Sequence, residues 1–247
     1  MTRKLILFNG PRHSGKDAAS LHVANTWNAY HFKFSAPIKA AIKAAFDLSD
    51  EDVLYLETIK TTPTPILLGK SYVEVQISFS ESWAKLFFGQ DVFGQIAERK
   101  LTCVANEKDT QLFVCSDSGF DVEAWPVINT IFGKENTLLV RISREGKDFT
   151  GDSRSYIDLP GVDTIRIENN ETLSGYYGAI DDLITFWLQF TANNRQTTKE
   201  AAVIAEKDLI ANYDPDDYMA SGCPDGFCPL PNVRQGPYEA MFAPIPN

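Results

Sequence analysis

The sequence predicts a three-layer α/β/α fold, with a parallel sheet of about five strands and helices on both faces. Three observations predict it. Short apolar runs alternate with segments of helical period over residues 4–191. The first run, Leu5-Ile6-Leu7-Phe8-Asn9, enters a glycine-bounded loop and then a helix. The chain has 247 residues, 44% hydrophobic and 12% aromatic, enough for one large α/β domain or a domain with a lid and a tail.

The predicted strands are 4–8, 30–34, 111–116, 137–142 and 163–167, each bounded by turn or polar residues. Between them, 16–28 is a helix with Leu21, Ala24 and Trp27 on one face. Residues 36–46 space Ile38, Ile42 and Phe46 four apart, with Ser35 as a cap and Pro37 in the first turn. Residues 57–80, containing Thr61-Thr62-Pro63-Thr64-Pro65, are expected to form an irregular insertion, and 81–101 to be largely helical. A further helix over 176–191 carries Ile180, Leu183, Ile184, Trp187 and Leu188. A last one starts at Thr197, where Glu200 completes a capping box, and runs to about residue 212. From Tyr213 onward seven of the 13 prolines fall in an extended tail. The expected division is a domain over 1–195, with a substrate-side insertion over 48–101 and a lid over 143–160, followed by a C-terminal helix and tail over 196–247.

The loop Gly10-Pro11-Arg12-His13-Ser14-Gly15-Lys16-Asp17 carries the main functional signal. Strand, glycine-bounded loop ending in Gly-Lys, and helix form the phosphate cradle of a P-loop NTPase. Gly10 and Gly15 permit backbone angles closed to residues with a Cβ, so that the N–H groups of Arg12, His13, Ser14 and their neighbours can turn inward. The helix N-terminus adds partial positive charge, and Lys16 a full one, for the β- and γ-phosphates of ATP. The usual pattern ends in a hydroxyl that binds Mg²⁺; here Asp17 stands in its place, able to cap the helix or reach the ion. Ligands of such sheets bind at the carboxyl ends of the strands.

Two later segments extend this site. Leu112-Phe113-Val114-Cys115 is an apolar strand ending in Ser116-Asp117, and a carboxylate there can face Mg²⁺ and triphosphate; the alternative for Asp117 is a helix cap or Asx turn before Gly119. Residues 141–154 open from a strand into a glycine-containing loop with three arginines and a lysine. Arg144 and Arg154 are candidates to stabilise a transferring phosphoryl group from a closing lid, whereas Arg141 lies within the strand. The alternative is a solvated loop whose acids offset its bases.

Composition limits the partners. The net charge of −10, half of it in residues 206–247, argues against a nucleic-acid polymer. No apolar run reaches membrane-spanning length and the N-terminus enters a strand at once, which predicts a cytoplasmic protein. Cys115 is expected in the core; Cys223 and Cys228 lack nearby histidines to complete a metal site.

These pieces, in this order, resemble the phage-type deoxynucleoside monophosphate kinases of the P-loop nucleoside monophosphate kinase group. Ser14-Gly15-Lys16-Asp17 matches that family's S-G-K-D ending. Phe34-Ser35-Ala36-Pro37-Ile38-Lys39 is similar to its F-A-x-P-[IL]-K stretch. The segment from Ser116 to Ala124 resembles its S-D-V-R-F-x-x-E-A, and Ile167-Glu168-Asn169-Asn170-Glu171-Thr172-Leu173 its strand-to-helix turn after the lid. The likeness implies ATP and Mg²⁺ as cofactors and a (deoxy)nucleoside monophosphate as acceptor, in the host cytoplasm for a phage protein. It implies Lys16 on the phosphates, Asp17 and Asp117 around Mg²⁺, Arg144 and Arg154 from the lid, and Ser35, Lys39, Gln90 and Asp91 toward the acceptor. A homodimer is compatible with it.

Two departures bear on the acceptor. Gly119 stands where the family commonly has an arginine, and Glu81, Ser82 and Lys85 occupy a helix where an arginine and a glutamine are expected. Two other readings therefore stay open: a kinase of another small phosphorylated metabolite, such as the animal-type phosphomevalonate kinase with its G-K-D loop, and a degenerate nucleotide-binding structural or regulatory protein.

Overall fold

The computed structural model describes residues 2–107, 109–152 and 154–191. The expected helix from Thr197, the proline-rich tail with Cys223 and Cys228, and the division near residue 195 lie outside the described residues. Five strands are present: β1 (Lys4–Asn9), β2 (Tyr30–Phe32), β3 (Leu112–Cys115), β4 (Thr137–Ser143) and β5 (Asp163–Glu168). They form one sheet in the order β2-β3-β1-β4-β5, and every pairing is parallel. All five fall where the sequence predicts them.

β1 is the central strand, and its composition shows why. Leu5, Ile6, Leu7 and Phe8 are each fully buried, as a continuous apolar run must be when both faces of a sheet are covered. Alternate residues serve opposite faces. Ile6 and Phe8 pack with Ala19 and Val23 of α1 (Lys16–Thr26) and with Tyr176, Ile180, Ile184 and Trp187 of α8, a helix over residues 173–191. Leu5 and Leu7 belong to the other core, with Ile38 and Ile42 of α2 (Ala36–Ala45), Leu56 of α3 (Asp50–Thr58) and Tyr72 of α4 (Tyr72–Ile77). That core continues into α6 (Val92–Glu107), α7 (Asp121–Val127) and their flanking turns, while α5 (Lys85–Phe88) buries only Lys85. Each of these buried Leu, Ile or Val side chains contributes about 1.5–3 kcal/mol of transfer free energy.

The two layers follow from handedness. The β1-to-β2 crossover runs one way over the α1 face, and the β2-to-β3 and β3-to-β4 crossovers run the other way over the opposite face. Right-handed crossovers in opposite directions must lie on opposite faces. The β4-to-β5 connection, residues 144–162, carries no helix among its described residues and stays at the carboxyl end of the sheet.

The structure refines three expectations. The irregular stretch expected over 57–80 is confined to 59–71, with a 3₁₀ turn at Pro65–Leu67; it is preceded by α3, which starts at the capping box Ser49–Asp52, and followed by α4, which starts at Ser71–Glu74. Residues 81–101 are largely helical as expected, but in pieces: a π-helical stretch, Ser78–Ala84, leads into α5, and Gly89, with φ +102°, ends α5 before α6 begins. In α1 the inward residues are Ala19, Ser20 and Val23, while Leu21 is half exposed. Among the described residues no helix is long and apolar enough to cross a membrane.

Candidate active site

The loop between β1 and α1 is closed by its two glycines for different reasons. A Cβ on Gly10 would lie 2.3 Å from the Ile142 carbonyl oxygen of β4, so the neighbouring strand forbids a side chain. Gly15 has φ +105° and is the residue before the first turn of α1; a Cβ there would also lie 2.3 Å from Asn169 Nδ2. Three outward carbonyls of the loop are braced from elsewhere. Asn169 Nδ2 donates to Ser14 O at 2.8 Å, Tyr176 Oη to Gly15 O at 3.3 Å, and Arg144 Nη1 to His13 O at 3.4 Å. In a trans peptide the following N–H points opposite to the carbonyl, so bracing the Ser14 and Gly15 oxygens turns the Gly15 and Lys16 N–H groups the other way, while the Ser14 N–H donates to Pro11 O at 3.3 Å. The N–H groups of Lys16, Asp17 and Ala18 precede the first helical bond, from Ala19 N–H to Gly15 O, and are free of intrahelical acceptors. Lys16 Nζ arches back to Pro11 O at 2.5 Å. Burial, then the charge of Arg154, lowers its pKa to about 8.

This is a P-loop.

Around it the structure gathers several of the charged candidates. Asp17 lies in the first turn of α1, and its Oδ1 accepts from Lys33 Nζ at 2.5 Å. Burial would raise the Asp17 carboxyl, but the Lys33 hydrogen bond and charge outweigh it and hold it below its usual value. Asp117 does not cap α7, since the residue before that helix is Phe120. Its Oδ1 accepts the Phe34 N–H at 2.9 Å and its Oδ2 the Ser35 N–H at 3.0 Å, tying the end of β3 to the turn before α2. Ser35 itself makes no side-chain cap, contrary to expectation.

The arginines come in from the β4–β5 connection. Arg154 forks onto Asp152, Nε to Oδ1 at 2.8 Å and Nη2 to Oδ2 at 2.5 Å, and Arg12 Nε reaches the same Oδ2 at 3.2 Å. Burial would raise the Asp152 carboxyl; Arg154, then Arg12, overcome this and bring it down to about 2. Arg141 is structural, donating to Ile157 O and holding the returning chain against β4. Beside the loop lies a cleft of about 410 Å³ whose walls include Pro11, Arg144, Phe149, Tyr156 and Asn170. That volume is within the range of small-molecule sites.

No protein-family model matches the chain, and no curated protein matches it. Solved structures do. The APS kinase of Mycobacterium tuberculosis in complex with AMPPNP and APS is 13% identical, with a TM-score of 0.42 over 74% of this chain and 98% of that one. An unliganded sugar kinase from Janibacter sp. is 13% identical, with a TM-score of 0.41 over 76% of this chain and 95% of that one.

The residues expected on the acceptor side are dispersed. Lys39 pairs with Glu57 of α3 at 2.5 Å, Asp91 accepts from Gln95 at 3.0 Å, and Gln90 is exposed at the α5–α6 corner. Lys85 is buried, 3.0 Å from Glu81, 3.2 Å from Glu123 and 3.6 Å over the Phe120 ring. Burial pushes the Glu123 carboxyl up to about 7 despite Lys85. Among the described residues no cluster of three or more His, Cys, Asp or Glu side chains stands ready to hold a metal unaided.

Sequence reasoning missed Asn9, Lys33, Asp152 and the bracing by Asn169 and Tyr176. Asn9 is 1% exposed; its Nδ2 donates to Ser118 O at 2.7 Å and Ser155 O at 3.1 Å, and its Oδ1 accepts the Ile157 N–H at 3.1 Å. The only signal was a polar residue ending an apolar strand just before the first loop glycine.

Proposed function

We propose that the chain is an ATP- and Mg²⁺-dependent kinase that phosphorylates a deoxynucleoside monophosphate to the diphosphate. One observation carries this reading: a braced P-loop with Lys16 meets Arg12, Arg144, Arg154, Asp17 and Asp117 at the carboxyl ends of β1, β3 and β4. The loop N–H groups, including that of His13, and Lys16 would hold the donor phosphates, with the Ser14 N–H leaving Pro11 O to join them, and the adjoining cleft would take the nucleoside. An acceptor phosphate is already nucleophilic, so no general base is required. Positioning and charge neutralisation then supply most of the catalysis.

The donor set fits Mg²⁺, which takes one or two carboxylates and fills its remaining positions with phosphate oxygens and water. Asp17, about two-thirds exposed in its side chain, would hold the ion, and Asp117, with both oxygens committed to backbone N–H groups, would act through water. Bound there, the ion would neutralise charge on the β- and γ-oxygens. In this reading Ser35, Lys39, Gln90 and Asp91 belong to the acceptor side.

An ADP-release assay with Mg²⁺-ATP and a panel of (deoxy)nucleoside monophosphates tests it. Turnover with at least one of them is expected. Turnover confined to a non-nucleotide phosphate would replace the acceptor, and tight ATP binding without turnover would favour a regulatory module. Arg144→Ala is expected to lower kcat roughly a hundredfold with ATP affinity little changed; an effect confined to ATP affinity would remove its role in phosphoryl transfer.

A further inference from the structure

Gly119 has no left-handed backbone angle to explain it, yet no side chain fits there. A Cβ on it would lie 2.4 Å from Arg154 Cδ and 2.9 Å from Arg154 Cγ. These atoms belong to the stem, not the free end, of a side chain fixed at both ends. The Arg154 N–H donates to Asp152 Oδ1 at 3.1 Å, and the guanidinium is forked onto the same carboxylate, which is 5% exposed and shared with Arg12. Asn9 pins both surfaces of the contact, bonding Ser118 O on one side and Ser155 O and the Ile157 N–H on the other. Glycine at 119 is therefore demanded by the arginine that crosses it.

We propose that Gly119 is a positioning residue, and that its bare backbone seats Arg154 as a fixed ligand for the phosphate of the second substrate. The fork uses Nε and one N–H of Nη2, and no partner of Nη1 is found among the described residues, so that nitrogen stays available to an anion. The cation lies within electrostatic reach of Lys16 on the cradle side and of Asp117 and Glu123 at the β3–α7 corner. That places it between the P-loop and the β3–α7 corner. This assignment rests on the reading that the acceptor carries a phosphate.

The test is a double-mutant cycle on the full chain, read by calorimetry with a non-transferring ATP analogue and with the panel of deoxynucleoside monophosphates. Gly119→Ala must lift the Arg154 stem. It is expected to weaken monophosphate binding about tenfold or more and to leave analogue affinity within about twofold. Arg154→Ala is expected to do the same, and Gly119→Ala/Arg154→Ala to bind no more weakly than Arg154→Ala alone. In thermal melts Gly119→Ala is expected to lower Tm in the wild-type background and not in the Arg154→Ala background, which keeps the cycle informative if the single variant folds poorly. Additive losses, or equal weakening of both ligands, would overturn the seat. Analogue binding with no monophosphate binding in the wild-type chain would also overturn it and leave the nucleotide-binding reading standing. A coupled cycle on monophosphate with no analogue binding would support the seat and remove the ATP reading.

Discussion

Alanine at Gly15 would put a methyl group 2.3 Å from Asn169 Nδ2 at a φ of +105°, so the loop must open or the brace must break. We expect a stability loss of about 1–3 kcal/mol in thermal melts and a larger loss of ATP-analogue affinity than of monophosphate affinity. Unchanged analogue binding would show that the loop does not hold the donor. Glu123 gives a pH signature. Its folded value of about 7 exceeds the ordinary 4.5, so in that window the folded chain keeps a proton that the unfolded chain has lost. Stability therefore falls as pH rises toward 7, by at most about 1.4 kcal/mol per unit, and levels off above it. Melts from pH 5 to 8 should show this slope in wild type and a flatter one in Glu123→Gln. The loop from Gly10 to Asp17 was legible because a strand, a glycine-bounded turn and a helix follow from local spacing, though Asp17 makes no cap of α1 and pairs with Lys33 instead. Asn9 and Lys33 were not, because their roles depend on partners distant in sequence, Ser118 and Ser155 for one and Asp17 for the other.

At the scale of elements, the loops of the candidate site are held less by their own turns than by strand ends. Asn9 joins the β3–α7 corner to the chain returning toward β5, and Asn169 joins the β5–α8 turn to the P-loop. Asn9→Ala leaves buried backbone groups unpaired at both ends. It should cost about 2–4 kcal/mol in urea unfolding with an unchanged m-value; a loss below about 0.5 kcal/mol would mean that the corner is held otherwise. Strand positions were readable because β1, β3 and β4 are apolar runs buried on both faces. Helices α3 and α4 were readable in principle from Ser49–Asp52 and Ser71–Glu74, but the prolines between them dominated the expectation. The π-helical stretch before Lys85 has no comparable local signature. It accompanies the burial of Lys85 against Glu123, a tertiary effect.

For the whole molecule, alternation of strands and helices predicted a parallel sheet, but not the order β2-β3-β1-β4-β5, which depends on the direction each crossover takes. That order sets β1 between β3 and β4, and so brings Asp117 and the arginine-bearing connection to either side of the P-loop. Every residue assigned to the site precedes residue 177, and we propose that residues 1–195 form the kinase domain. A chain ending at residue 195 should bind the ATP analogue as tightly as the full chain; lost binding would give the C-terminal segment a part in the site. The central claim is phosphoryl transfer from the P-loop to a monophosphate. It is tested most directly by ADP release with Mg²⁺-ATP and the monophosphate panel, for wild type and Lys16→Ala side by side. The prediction is ADP formation that requires a monophosphate and is lost in Lys16→Ala while the melting temperature is kept. ADP formation that no monophosphate stimulates, or that survives in Lys16→Ala, would contradict it.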